Sequence, residues 1–68
     1  SGKKAKLSED FVYYTIEFDE NLIIKINKQK KFMTWTNSKG EYMSPLLISQ
    51  EEIDQLITSI KEENNEEL

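Results

Sequence analysis

Over residues 22–27 the side chains sort onto two sides by period two: Leu22, Ile24 and Ile26 fall together, while Lys25 and Asn27 lie opposite. That alternation predicts a half-buried β-strand. Residues 11–18, rich in aromatic and β-branched side chains, predict an earlier strand. Its sides are less distinct, because Val12, Tyr14, Ile16 and Phe18 share one and Phe11 and Tyr13 the other. Asp19-Glu20-Asn21 predicts a tight turn between the two runs. After the polar bridge Lys28-Gln29-Lys30 comes a third extended run at 31–36, and a fourth covers 41–48. Pro45 inside the fourth argues for an edge position or a bulge. Asn37-Ser38-Lys39-Gly40 predicts the intervening turn, with Gly40 free to take positive φ.

The period then changes. Ile53, Leu56, Ile57 and Ile60 recur at i, i+3, i+4 and i+7, which draws one apolar stripe along a helix. Ser49-Gln50-Glu51-Glu52 is a capping box: the serine hydroxyl accepts from the third helical amide while Glu52 reaches back to the serine N–H. Burying the stripe contributes ~1.5–3 kcal/mol per side chain. Residues 62–67 have nothing apolar to bury, and their acids sit at the unfavourable end of the helix dipole, so fraying is expected.

The expected fold is therefore α+β: a curved antiparallel four-stranded sheet followed by one C-terminal helix (ββββα). Residues 1–10 are expected as a flexible basic arm, 11–63 as the domain and 64–68 as an acidic disordered tail. The helix stripe plus apolar residues on both sides of the sheet exceed what one small sheet covers. A homodimer is the expected remedy, with Ile53, Leu56, Ile57 and Ile60 serving as core and dimer residues.

Composition narrows the chemistry. The chain has 68 residues, enough for one domain, and neither cysteine nor histidine. Disulfides are excluded and a structural zinc site has no ligands to use. A core this small supplies only ~3–5 kcal/mol, which again favours a partner chain as the staple. Without an imidazole base or a thiolate nucleophile, and with no phosphate-cradling glycine loop or spaced acidic metal box, the sequence argues against an enzyme and implies no cofactor. No apolar run approaches the ~20 residues of a membrane span. No signal-peptide pattern precedes the first periodic segment. The absence of cysteine fits an intracellular protein, nuclear in a eukaryote and cytoplasmic in a bacterium.

Charge adds a functional hint. The net charge of −4 conceals a split: residues 1–47 carry eight lysines against six acids, and residues 48–68 one lysine against seven acids. Between Ile24 and Lys39 stand Lys25, Lys28, Lys30, Lys31 and Lys39 with no acid among them, interleaved with Phe32, Met33 and Trp35. Ammonium groups that neutralise phosphates beside planar rings that stack on bases make a groove for single-stranded nucleic acid. The plainer reading is an exposed hairpin whose lysines discourage edge-to-edge aggregation.

The order of landmarks resembles the PC4 family of transcriptional coactivators. Phe18 ends the first strand, and Leu22-Ile23-Ile24-Lys25-Ile26 forms an apolar second one. Trp35 and then Gly40-Glu41 follow, before the run from Leu46 to Leu56 leads through a capped start into the helix. The likeness spans roughly residues 11–61. It implies a dimer that holds single-stranded or melted DNA in antiparallel channels, with no cofactor and with C-terminal helices in the dimer contact. Phe18 and Trp35 stand where that family places its stacking aromatics, and Lys25, Lys28, Lys30, Lys31 and Lys39 would supply the basic contribution. Two departures weaken the phosphate contacts. Asp19-Glu20-Asn21 replaces a lysine-bearing turn, and Tyr42-Met43-Ser44-Pro45 replaces a basic glycine-rich loop.

The function expected is single-stranded nucleic acid binding in a transcription-linked role, with DNA or RNA and transcription proteins as partners. The rival is a protein-interaction module that docks a partner through its sheet or its amphipathic helix. It would bind no nucleic acid.

Overall fold

A computed structural model describes residues 5–19, 21–41 and 44–65. In chain order the elements are β1 (Lys6–Glu9), β2 (Tyr13–Asp19), β3 (Leu22–Asn27), β4 (Phe32–Thr36), β5 (Leu46–Leu47) and α1 (Gln50–Asn65). The strands form one open antiparallel sheet in the order β1-β2-β3-β4-β5, with α1 against it.

The sheet has five strands, not the expected four. The extra one comes from the segment read as a flexible arm. Lys6–Glu9 pairs with β2 in the register Lys6↔Glu17, Leu7↔Ile16, Ser8↔Thr15 and Glu9↔Tyr14. Lys-Leu-Ser-Glu carries no β-branched residue to announce a strand. The ladder hydrogen bonds of β2 and the burial of Ala5 in the core recruit it instead.

Other boundaries move for local reasons. Phe11 and Val12 lie in a bend and β2 begins at Tyr13, because Asp10 closes a turn there. Lys31 belongs to the β3–β4 turn, with φ of 58°, and β4 begins at Phe32. Of the fourth extended run, only Leu46–Leu47 joins the sheet, and Tyr42 and Met43 lie outside the described residues. The turn before it forms as expected. Gly40 N donates to Asn37 O at 3.0 Å and Gly40 takes φ of 81°.

Register assigns the two faces, since directly opposed residues point the same way. One face carries Leu7, Ile16, Ile24 and Trp35 across the sheet, and beside them Tyr14, Ile26, Met33 and Leu46. Ile16 and Ile26 on this face are fully buried in one cluster with Ala5, Ile53, Ile57 and Ile60. Leu7, Tyr14, Phe18, Ile24, Met33, Ile48 and Leu56 pack around it. The helix stripe thus packs against the chain's own sheet, with Ile53, Ile57 and Ile60 buried and Leu56 partly so.

The capping box forms as the sequence predicts. Glu52 N donates to Ser49 Oγ at 3.1 Å, and Ser49 N donates to Glu52 Oε1 at 3.0 Å. The other end runs longer than expected. Glu62 to Asn65 are helical, and Asn64 Nδ2 donates to Ala5 O at 3.3 Å, so Asn64 and Asn65 belong to the fold and not to a disordered tail. That bond ties the end of α1 to the start of β1. Residues 66–68 of the expected tail lie outside the described residues.

Candidate nucleic-acid interface

The face turned away from α1 carries three rows across the strands. Tyr13, Asn27, Phe32 and Leu47 make the first, Ser8, Thr15, Lys25 and Thr34 the second, and Lys6, Glu17, Ile23 and Thr36 the third. Nothing among the described residues covers this face as α1 covers the other. Tyr13 and Phe32 flank Asn27 on the central strand, which puts them two strand spacings apart, roughly 9–10 Å. Lys25 stands one row along, exposed, with its ammonium 5.1 Å from the centre of the Tyr13 ring.

Asn27 was expected to point into solvent, yet it is only 7% exposed. Its Oδ1 accepts from Gln29 N at 3.1 Å and Lys30 N at 2.7 Å, and its carbonyl accepts from Lys31 N at 2.9 Å. The amide is folded into its own turn, so the position between the two rings presents a low surface. The same bonds fix the hairpin that carries Lys30 outward and let Lys31 adopt a left-handed backbone unusual for a residue with a Cβ.

The β1–β2 turn stands at the same end of the sheet. Asp10 Oδ1 accepts from Val12 N at 2.8 Å and Tyr13 N at 2.7 Å, and Asp10 N donates to Tyr13 O at 2.9 Å. The Tyr13 and then the Val12 amides hold the Asp10 carboxyl below its ordinary value, with a smaller contribution from nearby Lys25 and Lys28. Phe11, inside this turn, is 98% exposed. Lys28 clamps the two turns together. Its backbone N–H donates to Val12 O at 2.9 Å, its ammonium to Asp10 O at 2.7 Å and to the Glu9 carboxylate, and it stands 4.8 Å from the centre of the Tyr14 ring.

The residues proposed from sequence therefore do not form one groove. Lys25, Lys30 and Lys31 lie on or beside the open face at the hairpin end. Lys28, expected in solvent, is half-buried and engaged within the fold. Lys39 is at the opposite end, in the Asn37–Gly40 turn, separated from Lys31 by the length of β4, roughly 17 Å. Ser38 Oγ donates there to Asn21 Oδ1 at 3.2 Å, joining that turn to the one after β2. Phe18 packs against the core on the helix side. Trp35, opposite Ile24, is half-buried on the helix side of the sheet and outside the core cluster.

Tyr13 and Phe11 had not been singled out as candidates. The readable signal was Asp10, whose short carboxylate favours a turn two residues on and so breaks the aromatic run before Tyr13. With Phe11 and Val12 outside the strand, Tyr13 is the first residue of β2 and lies on the side opposite Tyr14 and Ile16.

A shallow depression beside Asp54, Gln55, Thr58 and Ser59 is formed by successive turns of α1 alone and offers a ligand no second wall. Among the described residues, no group of three acidic side chains converges as a metal site would need, and no helix is long and apolar enough to cross a membrane. No protein-family model, curated protein or solved structure matches the chain.

Proposed function

We propose that the open face of the sheet binds single-stranded nucleic acid, with bases stacking on Tyr13 and Phe32 and phosphates meeting Lys25, Lys30 and Lys31. The observation that carries this reading is the pair of half-buried rings on one row of the open face, with a low Asn27 between them and the ammonium of exposed Lys25 beside Tyr13. Charge distribution supports it. The acids Glu51, Glu52, Asp54, Glu62 and Glu63 all lie on α1, across the sheet from the open face. With those five on the far side, the open face itself carries Lys6 and Lys25 against Glu17. The site differs from the one the PC4 resemblance implied, since Tyr13 and Phe32 take the roles given there to Phe18 and Trp35. The transcription-linked role belongs to the proposal through that resemblance alone, and the homodimer through the resemblance and the small size of the core.

The test is an anisotropy titration with labelled single-stranded DNA and RNA at two salt concentrations. Tyr13→Ala and Phe32→Ala each remove ~1–3 kcal/mol of stacking and leave the salt slope nearly unchanged. Lys25→Ala and Lys30→Ala lower that slope by about 0.7 per phosphate contact removed. Binding that ignores salt and all four substitutions would refute the reading.

A second reading rests on Leu47, 89% exposed on the first row, and on Phe11. Those side chains suit a protein partner docking on the same face. That partner would bind with little salt dependence and would lose affinity on Leu47→Ser.

A further inference from the structure

Phe11 is the least covered large apolar side chain of the described residues, yet it sits in a turn closed by hydrogen bonds between the residues on either side of it. Three hydrogen bonds close the turn around it, all made by Asp10: two amides onto the carboxylate and one from its own N–H. Lys28 adds a fourth through the Asp10 carbonyl and locks the turn to the neighbouring hairpin. A phenyl ring left in water on a mobile loop would need no comment. One held out on a pinned turn has its backbone fixed in advance, so binding has only the ring's own rotamers left to order.

Its position says what the ring would meet. Phe11 precedes Tyr13 by two residues and lies beyond the end of the row formed by Tyr13, Asn27 and Phe32. It is therefore not a further platform on the open face but a stop at its border. Of the two carboxylates beside it, Glu9 is paired with Lys28, while Asp10 keeps its negative charge, which the nearby Lys25 and Lys28 offset. Lys30 projects from the adjoining hairpin, where it can reach a phosphate.

We propose that Phe11 caps the terminal base pair where a single strand bound on the open face passes into duplex, making the ligand a single-strand–double-strand junction. This rests on the binding function proposed above. The flat outer face of a last base pair is an apolar surface of the size and kind a phenyl ring stacks on, and the single strand continues over Tyr13 and Phe32. Lys30 pairs with a phosphate flanking the junction. A free single strand offers the turn no fixed partner, and a blunt duplex offers the open face no unpaired bases.

The experiment measures anisotropy with one labelled strand in three states: alone, annealed to a shorter complement that leaves an overhang of either polarity, and fully paired. The full chain is compared with Phe11→Ala, Phe11→Trp and Tyr13→Ala. An overhang of one polarity should bind roughly 5-fold or more tightly than the free strand, the scale of one added stack. Phe11→Ala should erase that preference while leaving free-strand affinity within about twofold, Phe11→Trp should keep it, and Tyr13→Ala should weaken both. Equal affinity for overhang and free strand overturns the junction proposal and leaves the binding function standing. No binding to either overturns both. A Phe11→Ala protein with native circular dichroism that loses free-strand binding makes Phe11 part of the main platform, and that too overturns the junction.

Discussion

Within β2 and β3, Ile16 and Ile26 lose all contact with water on one side, while on the other Thr15 and Ile23 stay half-exposed and Lys25 is exposed. The strands are the same, and so is the ladder that joins them. The difference comes from α1, whose stripe of Ile53, Ile57 and Ile60 seals one side and leaves the other open. The fully buried side chains are therefore concentrated on the covered side, and the groups with chemistry to offer stand on the other, Tyr13 and Phe32 half-buried and Lys25 exposed. A small domain can separate the two tasks in this way because strand side chains alternate.

The sharpest way to break the comparison is a charge on each side. Ile16→Asp should leave the chain unfolded, because an isolated carboxylate in that cluster has no partner, and the loss of far-ultraviolet ellipticity would report it. Ile23→Asp should leave a folded protein. A milder pair grades the contrast in urea: Ile16→Ala should cost ~2–5 kcal/mol and Ile23→Ala no more than about 1. Similar losses from both would mean that something covers the open side in solution.

β1 offers the next largest effect. Deleting residues 1–9 removes a strand, Leu7 and the buried Ala5, so the urea midpoint should fall markedly, where a flexible arm would be dispensable. Unchanged stability would refute the pairing. Ser49→Ala should cost about 1 kcal/mol by removing the cap from the Glu52 amide.

Acid sensitivity follows from two carboxyls. The Ser49 amide, helped by the Ser49 hydroxyl, lowers Glu52, and the Tyr13 and Val12 amides lower Asp10. A group depressed on folding contributes stability that is complete above its unfolded value and is lost as pH falls through the lower folded one. The window thus opens below 4.5 for Glu52 and below 3.8 for Asp10. Glu52→Gln and Asp10→Asn should each flatten the loss of stability with acid, read as urea midpoints across that range. The smallest effect is expected of Lys28→Ala, whose partly exposed ion pair with Glu9 is worth ~0–1 kcal/mol and less in high salt.

The helix was legible because its determinants are local. A capping box and a stripe at 3.6 spacing lie within a dozen consecutive residues, and Ile53, Leu56, Ile57 and Ile60 meet the core as their spacing requires. β3 was legible for the same reason, its alternation being complete within six residues. Local signals failed where a partner decides the conformation. Lys6–Glu9 is a strand because β2 offers it a ladder, and Asn64 is held because Ala5 lies beneath it. The expected basic groove failed for a related reason. Closeness in sequence put Lys28 and Lys39 together, whereas antiparallel strands carry successive turns to opposite ends of a sheet.

By itself, then, the sequence determined the class of the fold and the elements whose hydrophobic period is complete within a few residues. Only the tertiary structure decided which side of the sheet is covered, which lysines are engaged in holding turns together, and which rings face water. Those outcomes depend on strand register and on where α1 lands, and both are set by contacts between residues far apart in the chain. Phe18 and Tyr13 illustrate it: similar rings on one strand, five residues apart, one packed against the core and the other on the open face.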